Sequence, residues 1–418
     1  MSCLIKTLGF TLSCMHSMKT QISRAQERAM TRKAVLQKAI SGELSWVQVA
    51  EILRLTGRQV RRIRARYELY GESGLLDRRI GRINSRRIPE REKQKVCELY
   101  RERYYDFSAM HFYEKLISVH KNQVASYSKV LAWLQEEGLL AKHSRHASHR
   151  KKRERRPMSG MLLHLDGSTH AWLGEHHPNF DLLAVVDDAT SEVYSARFVS
   201  QEGTRTCMQV IRETVEKMGT FCSLYTDRAM HFVVTMKAGD KPDRNRTTHL
   251  SRALDRLGTE LIHAYSPQAR GRSERLWKTW QGRLPQELRV AEIKTMEEAN
   301  RYLREIFVPW HNQSLTVKAL EPESSAFIPV PLSLNLNHVF SLQAFRQVNA
   351  DNTIQFKNKL LQIPKQTHLR FSFAGVKVTV HEHLDCTFSI TYGPHLLGVY
   401  SAEGKLIKFL EVPKKKAA

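Results

Sequence analysis

The chain has 418 residues, and 66 Lys and Arg against 42 Asp and Glu leave a formal net charge of +24 and a pI near 9.9. That length allows two to four domains, and so large a basic excess must face solvent, where it suits a polyanionic partner. No apolar run reaches bilayer-spanning length, and six scattered cysteines without a Cys-x-x-Cys pair exclude a disulfide frame and a zinc ribbon. A reducing, cytoplasmic setting follows as the expectation.

The first 29 residues read as a disordered extension, or as an overlong start with Met30 as the true one. Leu4 to Cys14 is mildly apolar but lacks a signal-peptide cleavage pattern. Residues 30–72 are expected to form a helix-turn-helix. A first helix covers Thr31 to Ala39. Ser45 with Gln48, then Thr56 with Gln59, repeat a capping-box spacing and start two further helices. Trp46, Val49, Ile52 and Leu53 stripe the second. On the third, Val60, Ile63 and Tyr67 face inward, while Arg58, Arg61, Arg62 and Arg66 cover the rest. A short arginine-faced helix after a tight turn suits a DNA major groove. Arg58, Gln59 and Arg62 are the candidates for base or near-base contacts.

A basic linker runs from Arg78 to Arg87. Residues 90–141 are expected to form a second, winged-helix-like module, with helices over Lys93–Tyr104, Ala109–Val119 and Ser126–Glu137. Its surface is less basic, so DNA contact and a purely structural role both fit. Residues 142–157 carry a dense basic run, read as a tether that orders on DNA.

From 158 to 331 strands and helices alternate. Strands are expected over Met161–Asp166, Asp181–Val186, Val193–Val199, Cys222–Thr226 and Glu260–His263. Helices are expected over Thr204–Met218, Leu250–Leu257 and from Gly271 onward. This is the element order of a ribonuclease-H-like fold. Asp166 and Asp227 each end an apolar run, and Glu274 opens an amphipathic helix. Each acid alone has an ordinary structural explanation, as a turn former or a helix-dipole partner. Together, on alternate elements, they form a set that can hold divalent cations. Asp187 and Asp188 sit in a turn composition and are read as structural. His164, His170, His176 and His177 match no common zinc spacing, although His170 is placed near the site. Trp277 and Trp280, three residues apart, read as core.

The block resembles the catalytic core of DDE transposases and retroviral integrases, and within them the ISNCY-type bacterial insertion-sequence transposases. The residues that carry the resemblance are Asp166-Gly-Ser-Thr-His-Ala-Trp172, Val186-Asp-Asp-Ala-Thr190, Tyr225-Thr-Asp227 and His263-Ala-Tyr-Ser-Pro-Gln-Ala-Arg-Gly-Arg-Ser-Glu-Arg275. A polar insertion, Lys237 to His249, lengthens the stretch between Asp227 and Glu274 relative to retroviral integrases. The resemblance implies that Asp166, Asp227 and Glu274 hold two Mg²⁺ (or Mn²⁺), with Asp166 bridging. It also implies double-stranded DNA as partner and at least a dimer for synapsis. Hard cations prefer carboxylate oxygen, and a pair of them serves both the attacking and the leaving oxygen of a phosphodiester exchange. Arg270 and Arg272, beside Glu274, are candidates to line a DNA backbone. Lys278 is instead an ordinary i,i+4 partner of Glu274. The alternative is a catalytically silent DNA-binding regulator of element ends; a ribonuclease-H-like nuclease would not need two N-terminal helical modules.

Met296 to Phe307 reads as one more helix, ended by Pro309. Residues 340–412 alternate with period two over Thr353–Phe356, Leu369–Phe373, Val376–Val380, Thr387–Ile390 and Val399–Tyr400, and are expected to close a small β-barrel. Residues 413–418 are a basic tail. The fold class expected is therefore multidomain α+β: helix-turn-helix modules, a ribonuclease-H-like α/β core and a C-terminal barrel.

Overall fold

The computed structural model describes residues 26–76, 88–142, 154–233, 247–264, 271–365, 369 and 372–408. Most of both basic linkers, the insertion after residue 233, Arg270 and the tail lie outside these. The chain divides into two compact units, Met1–Glu90 and Arg91–Ala418.

In the first unit, residues 26–40 are helical (α1), followed by α2 (Trp46–Leu53) and α3 (Gly57–Tyr70). Residues 26–29, expected in the extension, are thus helical, and Ala29 packs on the domain's core. Both capping boxes form: Ser45 with Gln48 and Thr56 with Gln59 satisfy the first N–H groups of α2 and α3. Leu36, Val49, Val60, Ile63 and Leu75 close the core, but Ile52 of the expected stripe is exposed.

The second unit begins with α4 (Glu90–Arg103), α5 (Ala109–Ser118) and α6 (Tyr127–Glu136), with no strand among the described residues of that module. Next come β1 (Leu162–His170), β2 (Phe180–Asp187), β3 (Val193–Val199), α7 (Thr204–Met218), β4 (Ser223–Thr226), α8 (His249–Leu257), β5 (Glu260–His263) and α9 (Gly271–Gln281). The sheet order is β3-β2-β1-β4-β5. β1, β2 and β3 pair antiparallel, and β1, β4 and β5 pair parallel, in agreement with the expected element order. β1 runs four residues past Asp166, because its ladder with β2 continues to His170 opposite Phe180. Asp166 is therefore inside a strand rather than at its end.

Period-two alternation sorts β1 between two cores. Leu163 and Leu165 join Leu183 and Val185 beneath α7 and α8. Leu182, Ala184 and Val186 face the other way, onto Trp277 and Trp280 of α9 and onto α10 (Leu284–Val290). α11 (Met296–Tyr302) does not stop before Pro309. It passes through a π turn, Leu303–Phe307, into α12 (Val308–Ser314). The widened turn lies directly ahead of the proline, and such turns accommodate a missing N–H and a ring that would clash in a regular helix. The chain then returns along the core, with isolated bridges Ser159–Ser325 and Thr220–Ile328. Gly219 is essential there: its φ is +99° and a Cβ would lie 2.3 Å from the Ile328 carbonyl oxygen.

The C-terminal region is not a barrel. β6 (Ser341–Gln347), β9 (Lys377–His383), β10 (Phe388–Tyr392), β11 (His395–Tyr400) and β12 (Leu406–Lys408) form an open sheet, and β7 (Thr353–Phe356) pairs only with β8 (Lys359–Gln362). β12 has three residues, all exposed, and does not reach β6. The buried face is covered by the hairpin, whose Ile354, Phe356 and Leu361 pack with Val380, Ile390 and Tyr400. Residue 369 is in a turn, not a strand.

The helical module α4–α6 docks on α10 through buried charge. Glu287 accepts hydrogen bonds from His111 Nε2 (2.7 Å), Lys115 Nζ (2.6 Å) and Tyr302 Oη (2.9 Å). Arg283 pairs with Glu114, and Arg289 with Asp106. Burial alone would raise the Glu287 carboxyl, but the bonds from His111 and Lys115, and their charge, hold it at about 2 against an ordinary 4.5. A depressed carboxyl contributes stability in full above about pH 4.5 and loses it as pH falls toward 2. Glu287→Gln strands the half-buried Lys115 and should cost about 3 kcal/mol, read as a lower urea midpoint at neutral pH. Below pH 4.5 the gap between wild type and variant should close; a gap constant down to pH 3 contradicts the assignment.

Candidate active site

The parallel ladder between β1 and β4 pairs Leu162 with Ser223, Leu163 with Leu224 and His164 with Tyr225. Asp166 stands two residues farther along β1, and Asp227 follows the last residue of β4. The period of two puts Asp166 on the same face as His164, whose ring lies 5.2 Å from that of Tyr225. That face carries α9. Trp277 Nε1 donates to Asp166 Oδ2 (3.0 Å), and Gln281 Nε2 donates to Ser168 Oγ (2.9 Å). α9 therefore runs alongside β1 in the same sense. Asp166 Oδ1 accepts from the Gly167 N–H, and Asp227 Oδ1 from the Ala229 N–H.

Glu274 is exposed in the first turn of α9, between two anchors. One is Trp277, one turn on. The other is Arg272, whose Nε donates to Asp188 Oδ1 at 2.9 Å. At 1.5 Å of rise per residue, Glu274 lies roughly 4.5 Å along the axis from Trp277. Asp188 is 1 % exposed and also binds His164 Nε2 (3.1 Å) and the Arg156 N–H (2.9 Å). Burial alone would raise this carboxyl; His164, the Arg156 N–H and Arg272 hold it well below the usual carboxylate range. Its neighbour Asp187, fully buried, caps the turn by accepting from the N–H groups of Gly160, Ala189 and Thr190, and burial pushes its carboxyl up. Arg155 bonds the carbonyls of Asp188 and Ala189, so the end of the basic run is tied to this turn.

The other candidates fall as follows. Arg58, Gln59, Arg61 and Arg62 are exposed on α3, and Arg66 is half-buried. The Gln59 side-chain oxygen is engaged in the Thr56 capping box. Arg272 is committed to Asp188, with Nη2 buried and without a hydrogen-bond partner among the described residues. Arg270 lies outside them. His170 packs edge-on against the ring of Trp172.

Among the described residues, one group of three ligand-type side chains lies with all its donor atoms within 4.8 Å of each other, and it is Glu202, Cys207 and His231 rather than the three acids. Reading from the sequence missed Trp277 as a partner of Asp166, Asp188 as an anchor of α9, and Glu202. The first was visible only as helical spacing from Glu274, and the other two left no local signal.

The helix-turn-helix domain family matches residues 31–83. A putative transposase of Sinorhizobium fredii (strain NBRC 101917 / NGR234) is 30% identical over 374 residues, covering 89% of this chain and 80% of that protein. The chain belongs to the insertion-sequence transposases. A second member, the transposase for insertion sequence IS1202 of Streptococcus pneumoniae, is 25% identical over 364 residues, covering 79% of this chain and 77% of its own. Among solved structures, the simian T-cell lymphotropic virus intasome in complex with PP2A regulatory subunit B56 gamma covers 68% of this chain and 91% of that chain. Its identity is 12% and its TM-score 0.31. The HTLV-2 integrase catalytic core domain in complex with magnesium covers 38% of this chain and 91% of its own, at 12% identity and a TM-score of 0.28. No described helix of this transposase is long and apolar enough to cross a membrane.

Asp188→Asn keeps the shape of the side chain and removes the charge that Arg272 and His164 share. It should lower unfolding stability by about 3 kcal/mol and alter the near-ultraviolet circular dichroism of the tryptophans packed under α9. An unchanged spectrum and midpoint would show that this anchor does not position the helix.

Proposed function

We propose that the protein is an active DNA transposase. In this reading it binds the ends of its element through the N-terminal helices and catalyses DNA cleavage and strand transfer with Asp166, Asp227 and Glu274, acting on DNA in the bacterial cytoplasm. The observation that supports the reading is that Asp166 lies on β1 and Asp227 directly follows β4, its parallel neighbour, while α9, which bears Glu274, contacts Asp166 through Trp277.

The donor set is all carboxylate oxygen, which fits hard divalent cations. Asp166, Asp227 and Glu274 would hold two Mg²⁺ (or Mn²⁺), whose charge when bound would serve to activate the attacking oxygen and stabilise the leaving one. The protein's own part is to hold the acids in place. Trp277 and the Gly167 N–H fix the orientation of the Asp166 carboxylate. The Ala229 N–H does the same for Asp227. Asp188, through Arg272, sets the start of α9 and with it Glu274. Arg270 and Arg272, beside Glu274, are assigned to line a DNA backbone. The nucleophile is water for cutting and a DNA 3′-hydroxyl for joining, so no covalent protein intermediate is needed. Joining two ends requires a dimer or a larger assembly.

On the N-terminal unit, Arg58, Arg61 and Arg62 project into solvent from α3, with Arg66 behind them. They supply phosphate and base contacts, and Gln59 can add its amide N–H groups while its oxygen caps the helix.

Asp166→Asn should abolish cleavage and joining of end-bearing DNA in Mg²⁺ while end binding persists. Joining that survives in the variant removes Asp166 from the chemistry. Neutralising Arg58 and Arg62 should weaken end binding and lower the slope of log K against log salt by about one unit for each phosphate no longer neutralised. An unchanged slope excludes α3 from the phosphate contacts.

A further inference from the structure

Beneath the central strand, on the face opposite Asp166, three ligand-type side chains converge. Glu202 leads from β3 into α7, Cys207 lies on the first turns of α7, and His231 follows β4 by five residues. Glu202 Oε1 is 3.0 Å from His231 Nε2 and 3.9 Å from Cys207 Sγ, and all three donor atoms lie within 4.8 Å of one another. A tetrahedral ion with bonds of about 2.0–2.3 Å separates its ligands by about 3.3–3.7 Å. The oxygen edges already lie near that range, and the sulfur–nitrogen edge needs a contraction of at most about 1 Å. Cys207 is fully buried, and the His231 side chain is 13 % exposed. The site is thus closed behind the thiol and reachable past the imidazole.

We propose that Glu202, Cys207 and His231 form a second metal site, for a borderline-soft divalent cation of the zinc class, distinct from the hard-cation site of the three acids. Nitrogen, sulfur and one carboxylate oxygen select zinc or cobalt over magnesium. On binding, the Cys207 S–H bond breaks, a sulfur–metal bond forms, and one proton leaves to solvent. His231, which now donates from Nε2 to Glu202, turns that nitrogen's lone pair to the ion and carries its proton on Nδ1. No electron is transferred.

The site touches both acid-bearing segments. Glu202 Oε2 lies where a Cβ on Gly167 would be 2.3 Å away, so it rests against the residue that follows Asp166. His231 belongs to the turn that begins at Asp227, where Phe232 N–H bonds the Ala229 carbonyl. An ion here ties the two turns together from behind and stiffens the spacing of Asp166 and Asp227.

The test is a cobalt(II) titration of the full-length protein in excess Mg²⁺, followed by thiolate-to-metal charge-transfer absorption, which Mg²⁺ cannot produce. Wild type should bind one equivalent with that band, and Asp166→Asn should bind it equally. Cys207→Ser should lose the band, and His231→Gln should bind at least tenfold more weakly. If Cys207→Ser does not fold, His231→Gln, altered near the surface, decides alone. Absence of the band in wild type, its persistence in a folded Cys207→Ser, unweakened binding by His231→Gln, or its loss in Asp166→Asn each overturns the proposal. Because no DNA is present, the result is independent of whether the three acids cut DNA.

Discussion

Asp188 is a buried carboxylate with an arginine, a histidine and a backbone N–H around it. Leaving an ionised carboxylate away from water without partners is prohibitive, so each partner is fixed by the charge it neutralises. The arginine comes from the first turn of α9, the histidine from β1 and the N–H from the end of the basic run. One charge therefore joins three segments distant in sequence. Trp277 then adds a second point of attachment, to Asp166 itself. A helix held at two points, one in the turn after β2 and one on β1, is hindered from sliding or rotating. Glu274 can remain exposed and still be placed, because its backbone is clamped on both sides.

The same device recurs at the edge of the core. Glu287 gathers His111, Lys115 and Tyr302 where the α4–α6 module meets α10. Buried ion pairs of this kind add little net stability compared with apolar packing, but they penalise any misaligned arrangement heavily. Glu287 and Asp188 thus both serve seams between elements. The second helical module is thereby committed to the core by one face. Any contact it makes with nucleic acid must come from another.

What the sequence disclosed and what it hid follow from the range of each interaction. Capping boxes are local, so the starts of α2 and α3 were readable from Ser45, Gln48, Thr56 and Gln59. Hydrophobic periodicity is nearly as local, and it delivered the strands and helices of the catalytic block to within a few residues. It failed where it carries no distance information. Alternation in the C-terminal region showed that one face was buried, but closure into a barrel and cover by the β7–β8 hairpin produce the same alternation. Pro309 looked like a stop because a π turn leaves no mark in composition. Ile52 followed the stripe of α2 and still emerged exposed. Asp166 and Asp227 were legible at the ends of apolar runs and Glu274 at the start of an amphipathic helix. Their register was not, since it depends on which strands become neighbours.

The two kinds of acid in this core differ in what surrounds them. Asp187 and Asp188 are sunk completely and answered by N–H groups, an arginine and a histidine that belong to the fold. Their charge is consumed in building the turn. Asp166 and Asp227 are only half-buried, and the contacts that orient them from Trp277, Gly167 and Ala229 come from neutral donors. A neutral donor fixes the direction of a carboxylate without cancelling its charge. Orientation and charge are thus supplied by different groups: the structural acids pin the helix, and the pinned helix aims a neutral indole at Asp166. This division explains why four aspartates on and just beyond neighbouring strands can serve opposite ends in one small volume. Under the proposed function, removing a structural acid should disturb the site through geometry, whereas removing Asp166 should disturb it through chemistry.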